Sequence, residues 1–251
     1  MNLITILWRS IRWRLYNPVT ILVTIVQPLI WLLLYSTAAG HTMGAAGIGS
    51  YPSFILPGLI VLVCFGVCSS TGIMNYLTRR DGSFYRILIS PVSRISMIAG
   101  QLLEAVLCSF LEAGILCALS LFLSARLSCG PKELALAVLL LSMASFFMAG
   151  LAYLLSLRLP NEVVYETVMN AVVLPVFFLS TALFPENLLS GRIAVLVNLN
   201  PFTHVINGLR ALIIYGTAEP RYLAFVILLF LALDALIMVC AHRRLAKAGN
   251  E

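Results

Sequence analysis

Six long apolar stretches, at approximately 19–38, 53–75, 98–124, 134–157, 164–184 and 221–241, dominate the 251-residue sequence and leave it few ways to fold. About 20 mainly apolar residues in helical form cross a hydrocarbon core roughly 30 Å thick. Lipid offers the backbone no hydrogen-bond partner, so runs of this kind close their bonds internally, as helices. Charged residues make up only 10% of the chain and the mean hydropathy is +1.01, where a soluble domain carries about 25% charged residues. The expectation is an all-α polytopic membrane protein with six transmembrane helices and one transmembrane domain over residues 1–251. The first apolar run is too long for a cleavable signal peptide, and no small-residue cleavage site precedes a soluble chain.

Basic residues set the expected orientation. With the N-terminus inside, the cytoplasmic segments hold Arg9, Arg12, Arg14, Arg79, Arg80, Arg86, Arg94, Arg158, Arg243, Arg244 and Lys247, against Arg126, Lys132, Arg192, Arg210 and Arg221 outside. That imbalance places both termini in the cytoplasm. The net charge of +6 implies only anionic lipid as a partner, and the sequence has no nucleic-acid signature. Of the six cysteines, all but Cys129 fall in apolar runs. Cys64 and Cys68 share a helix face, but without a second pair or a histidine they suit packing better than metal binding.

Residues 2–16 pattern as an amphipathic interface helix. Asn2, Thr5, Arg9, Arg12 and Tyr16 fall on one face, and Leu3, Ile4, Leu7, Trp8, Ile11 and Leu15 on the other, with Trp13 a further interface residue. An ordinary positive flank anchored by Trp8 and Trp13 is the plainer alternative. Asn17-Pro18 then turns the chain into the first span, where Gln27-Pro28 favours a kink.

The loop at 79–94 is the most informative polar stretch. Gly82 permits a turn, Ser83 can cap a short helix, and Phe84, Ile87 and Leu88 form an apolar triad at i, i+3, i+4 while Arg86 points elsewhere. Ser90-Pro91 ends that helix, and Arg94 begins the return to the membrane. Such a triad suits a groove in another protein and suits lipid headgroups equally well. Residues 185–220 are too apolar for a solvated loop. Asn200-Pro201 divides them into two pieces, each too short to cross, so they are expected to dip into the outer leaflet shielded by protein.

These segments, in this order, resemble the permease subunits of ABC-2 type transporters, exporters of drugs, lipids and polysaccharides with a type V exporter-like fold. The resemblance spans essentially the whole chain and is carried by Ser90-Pro91-Val92-Ser93-Arg94 and by Asn200-Pro201-Phe202-Thr203-His204-Val205-Ile206-Asn207-Gly208-Leu209-Arg210. The daunorubicin-resistance type is the nearest in form, with the nodulation-factor exporters next. The resemblance implies a bacterial inner-membrane permease that pairs with a second permease copy and with a separate ATPase subunit. It assigns the coupling helix to residues 82–89, contact with the ATPase to the interface helix, and closure of the exit to the short outer helices, with Asn200, Pro201 and Arg210 as outer-gate residues. The second and fifth spans, with the first, would line the path. The sequence has no phosphate-cradling Gly-x-x-x-x-Gly-Lys-[Ser/Thr] loop, so no cofactor is expected on this chain. ATP and Mg would be bound by the partner ATPase subunit.

Ionisable groups within spans are functional candidates by default. Glu104 and Glu112 lie about 80° apart on an ideal helix, able to meet a cationic drug or to serve as buried hydrogen-bonding groups. Asn75, Asn170, Phe65, Phe177 and Phe178 complete the candidate translocation path, although lipid-facing or core packing more often accounts for such aromatics. Asp234 has no partner evident in the sequence, and Glu166 has Arg158 near it. Export of lipid-linked polysaccharide or lipo-oligosaccharide competes with drug export. Outside the transporter class stand a membrane-embedded lipid-modifying enzyme with Glu104 or Glu112 as base, which would need clustered His, Asp or Ser groups, and a scaffold, which would need no ATPase.

Overall fold

A computed structural model describes residues 8, 12, 16, 18–38, 51–82, 94–122, 128–186 and 191–248. In chain order the helices are α1 (Pro18–Ala38), α2 (Tyr51–Arg80), α3 (Arg94–Phe122), α4 (Pro131–Arg158), α5 (Glu162–Phe178), α6 (Gly191–Leu199), α7 (Pro201–Arg210), a π-helical turn (Ala211–Tyr215) and α8 (Pro220–Ala248). No strand occurs among the described residues. The segments Tyr51–Arg80, Ile95–Phe122, Pro131–Arg158 and Pro220–Leu245 are long and apolar enough to cross a membrane, and the apolar part of α1, Leu22–Tyr35, is shorter. α5 has 17 residues, a length of about 26 Å at 1.5 Å per residue.

α2 is the central staff. It packs on α1, α3, α4, α5 and α7, while α4 joins α2, α3, α7 and α8. Between bilayer-embedded helices the apolar surface itself drives little association, so close packing and interhelical polar bonds carry the fold. The contact face of α4 accordingly buries Ala144, Ser145, Ala149, Gly150 and Ala152. An aromatic cluster fills the middle of the bundle: the Phe65 ring meets Phe202 edge-on at 4.7 Å, and Phe202 and Phe147 both pack on Phe230.

Local signals explain several boundaries. Asn161 caps α5 by accepting from the Val164 N–H at 2.8 Å, and Pro131 occupies the first turn of α4 behind Gly130, where a missing N–H costs nothing. α2 begins at Tyr51, and Pro57-Gly58 lies inside the helix. α5 ends at Phe178, short of the expected 184, because the backbone leaves helical geometry at Leu179. The carbonyls released there find side-chain partners described below. α8 continues past 241 to Ala248.

Of the expected interface helix 2–16, Trp8 and Arg12 are described and exposed, and the Arg12 guanidinium stands 5.4 Å above the Tyr16 ring. Arg9 and Trp13 lie outside the described residues. So do Ser83, Phe84, Arg86, Ile87, Leu88, Ser90 and Pro91 of the expected coupling segment. Gly82 is described and has a positive φ of 73°, the left-handed geometry that favours glycine. Arg94 is the first residue of α3.

Candidate functional site: two polar clamps at opposite ends of the bundle

The first clamp gathers the segments around the break after α5. Asn200 serves two helices at once. Its carboxamide oxygen accepts from the Phe202 N–H at 3.0 Å, capping α7, while its Nδ2 donates to the carbonyls of Val176 at 2.6 Å and Leu179 at 2.8 Å, closing the end of α5. Pro201 takes the first position of α7, where its fixed φ suits a helix start. The last four carbonyls of any helix lack partners within it, and one amide here satisfies two of them.

Ten residues on, Arg210 is buried at 6% exposure. Its Nε donates to the Phe54 carbonyl at 3.2 Å, its Nη1 to Asn207 Oδ1 at 3.0 Å and its Nη2 to the Thr181 carbonyl at 2.6 Å. The guanidinium also lies 3.8 Å over the Phe54 ring. Thr181 Oγ1 donates to Asn207 Oδ1 at 2.6 Å, and the Tyr51 hydroxyl donates to the Leu183 carbonyl at 2.9 Å. A planar fork of donors spans three acceptors that one ammonium could not reach together. Arg210 thus joins the start of α2, the non-helical 179–183 and α7. The π-helical turn follows directly and ends at Gly216 with φ 64°, where a Cβ would stand 2.6 Å from the Ser128 carbonyl oxygen. His204 bridges the Asn198 carbonyl at 3.0 Å and the Tyr222 hydroxyl at 3.2 Å, tying α6 and α7 to α8.

The second clamp lies toward the other end of α2. Asn75, buried at 1% exposure, donates from Nδ2 to Ser156 Oγ at 2.6 Å and accepts from Gln101 Nε2 at 3.1 Å. One turn further, Arg79 Nη1 donates to the Ser156 carbonyl at 2.7 Å, and the Tyr76 hydroxyl donates to the Pro160 carbonyl at 3.1 Å. The Tyr165 hydroxyl donates to the Ser69 carbonyl at 3.0 Å. Its ring lies so near Gly72 that a Cβ there would collide with it and would meet Ala152 at 3.1 Å.

The remaining path candidates divide. Glu104 and Glu112 both turn into the bundle at 6% and 0% exposure. Thr24 Oγ1 of α1 donates to Glu112 Oε2 at 2.6 Å, and Cys108 Sγ lies 3.6 Å from Glu104 Oε1. Phe65 belongs to the aromatic cluster and Phe177 is buried, whereas Phe178 is half exposed and Asn170 exposed on α5. Asp234 keeps one buried carboxyl oxygen without a hydrogen bond among the described residues. No group of three or more His, Cys, Asp or Glu among the described residues is placed to hold a metal ion.

Thr181 and Tyr51 carry no signal in the sequence, and Asn207 appears there only within the motif at 200–210. That motif holds a trace of the clamp: Asn200, Thr203, Asn207 and Arg210 recur at helical spacing along one face of an otherwise apolar segment.

Helices long and apolar enough to cross a membrane, a broken segment before the last of them and polar clamps at both ends make this a multi-pass membrane bundle. The chain belongs to the ABC-2 type transporter membrane family, whose sequence pattern matches residues 1–214. Among its relatives, the transport permease ycf38 of Porphyra purpurea is 29% identical over 206 residues, covering 79% of this chain and 68% of the relative. The ycf38 permease of Cyanophora paradoxa is 26% identical over 200 residues, covering 78% and 68%. A daunorubicin resistance ABC transporter permease protein, DrrB1, of Streptomyces coeruleorubidus is 26% identical over 215 residues, covering 86% of this chain and 75% of its own length. The chain is therefore a transport subunit and not itself an enzyme, and family membership implies pairing with an ABC ATPase.

Proposed function

We propose that this chain is one membrane half of an ATP-driven exporter of amphipathic or apolar molecules, drugs among them. It crosses the bilayer six times, with α1 and α5 as the two spans beyond the four longest helices and both termini in the cytoplasm of a bacterial inner membrane. A second permease copy completes the path, and the separate ATPase binds ATP and Mg. Residues 82–89 rest in that ATPase, and the interface helix lies beside them.

The observation that carries this reading is the contrast between the two ends. Arg79 and Arg80 close α2, Arg158 closes α4 and Arg243 and Arg244 lie near the end of α8. The contacts of Arg79 with Ser156 and of Tyr76 with Pro160 hold the first two of these ends together. A basic end of this sort favours the cytoplasmic leaflet. The opposite end carries the Asn200 and Arg210 clamp, a broken backbone sealed by protein, which suits a gate. ATP bound between two ATPases favours one conformation by its differential affinity, and the coupling segments pass that preference to the spans. The similarity to a permease named for daunorubicin resistance supports a drug-like cargo.

Exchange of Phe84 for Asp, or of Arg86 for Glu, should release the co-expressed ATPase in affinity capture while leaving the permease in the membrane fraction. Full retention of the ATPase by both variants would remove the coupling assignment. Cargo is tested on the intact complex in vesicles: daunorubicin uptake into inverted vesicles that needs ATP supports drug export, and uptake of a lipid-linked oligosaccharide alone would replace it by glycan export.

A further inference from the structure

We propose that Asn75 is a positioning residue for energy transmission, a pin that makes both stems of the cytoplasmic 83–93 loop and the fourth helix move as one body. The inference rests on the exporter reading above and gives that reading a mechanical element which no sequence motif supplied. α2 leads into the loop and α3 leads out of it. Asn75 lies five residues before the end of α2 and Gln101 seven residues after the start of α3, about 8 and 10 Å along the helix axes.

A load applied to the loop reaches two long helices that face each other mainly through apolar side chains. Interdigitated apolar side chains set the register of the helices through their shape, and a buried amide adds a chemical requirement, since it has few alternative partners. Asn75 is at 1% exposure. It spends its donor on Ser156 of α4 and its acceptor on Gln101 of α3, at 2.6 and 3.1 Å. Sliding α2 against either neighbour by one residue would leave an unpaired amide in an apolar interior, a penalised state. Arg79 repeats the bond to α4 one turn nearer the loop, on the Ser156 carbonyl, at 2.7 Å. The Tyr165 hydroxyl extends the seam to α5 through the Ser69 carbonyl. The amide first attracts notice as a lining group for a path, yet both of its ends are engaged inside a single chain. Its geometry serves transmission and not passage.

The test uses the complete complex of permease and co-purified ATPase in nanodiscs, with amide hydrogen exchange of residues 191–216 as the readout of the outer end. Exchange is measured without nucleotide and with ATP, Mg and vanadate. Asn75→Leu removes both bonds at similar volume, and Ser156→Ala removes only the α4 arm and is the milder variant. The expected result is ATPase capture and ATP hydrolysis as in the unaltered complex, with the nucleotide-driven change at 191–216 reduced roughly tenfold in Asn75→Leu and by a smaller factor in Ser156→Ala. A merely structural role would lower hydrolysis, complex yield and outer response in step, and that pattern overturns the proposal. An outer response in both variants equal to that of the unaltered complex overturns it too. Failure of the unaltered chain to capture any ATPase is a separate result, seen in the control alone, that defeats the exporter reading itself.

Discussion

Replacing Arg210 by methionine probes the outer clamp most directly. Three hydrogen bonds from a charged donor are lost, to Phe54, Asn207 and Thr181. Each such bond contributes about 1.5–3 kcal/mol, and the stacking on Phe54 about 2 kcal/mol in a desolvated site. Burying the guanidinium costs several kcal/mol per ion and offsets much of that sum. The acceptors left behind set the remainder. Phe54 sits inside a helix, where its carbonyl also faces the N–H four residues on, and Asn207 Oδ1 keeps the Thr181 hydroxyl. The Thr181 carbonyl is in non-helical backbone and loses its donor, which costs about 1–3 kcal/mol. With the lost stacking, the net destabilisation is about 3–5 kcal/mol, roughly 100- to 4,000-fold in the folded-to-unfolded ratio. Denaturant unfolding of the purified permease in micelles measures it. Arg210→Lys separates charge from shape: one ammonium cannot reach all three acceptors, so lysine should lose as much as methionine. A methionine variant as stable as the natural chain would refute the clamp, and a lysine variant without loss would show that a point charge suffices.

Asn200→Ala should cost about 1–2 kcal/mol for the cap alone and more for the freed Val176 and Leu179 carbonyls, whereas Asn200→Asp keeps the cap but replaces the amide donor with an oxygen that faces the same two carbonyls. An Asn200→Asp variant as stable as the natural chain in the same unfolding assay would deny the bridging role. Gly72→Ala forces a methyl against Tyr165 and Ala152 and should destabilise by about 1–3 kcal/mol. Tyr165→Ala in the same chain opens the space and should recover part of the overpacking cost, so strictly additive losses would rule out the collision.

How much of this was legible from the sequence varies with the physics involved. The long apolar runs behind α2, α3, α4 and α8 required helices because lipid permits little else, while the polar ends of α2 and α8 run on to Arg80 and Ala248, beyond the expected 75 and 241. The Asn200-Pro201 break was equally legible, since an asparagine cap followed by proline is a local signal. Asn161 caps α5 in the same way, although the expected span began only at 164. The partners of Arg210 were hidden because Phe54 lies 156 positions away and Thr181 29 away, and both offer backbone carbonyls that any residue carries. The α5 end was overextended for the same reason. Apolar composition runs on through 184, and what stops the helix is a set of long-range side-chain bonds. Glu112 shows the converse: its charge within an apolar run marked it as special, but only packing brings Thr24 to its carboxyl group.

The two clamps also separate path candidates that composition treats alike. Asn75 and Asn170 are both amides in apolar helices, and an unsatisfied amide in hydrocarbon is costly. Asn75 meets that cost internally, through Ser156 and Gln101. Asn170 stands exposed on α5 beside Glu166 and Thr167, which are exposed as well, while the helix buries Tyr165, Met169 and Phe177. The same helix is fastened near both ends, by the Tyr165 hydroxyl on Ser69 and by Asn200 on Val176 and Leu179. The free face of this helix also exposes Val163, Val164, Leu174 and Phe178, and its polar part is the group Glu166, Thr167 and Asn170, which suits a wet or protein-covered surface better than plain lipid. Within the exporter reading that face belongs toward the path and the second copy, and the faces of α8 that expose Phe225, Leu228, Leu231 and Leu236 belong toward lipid.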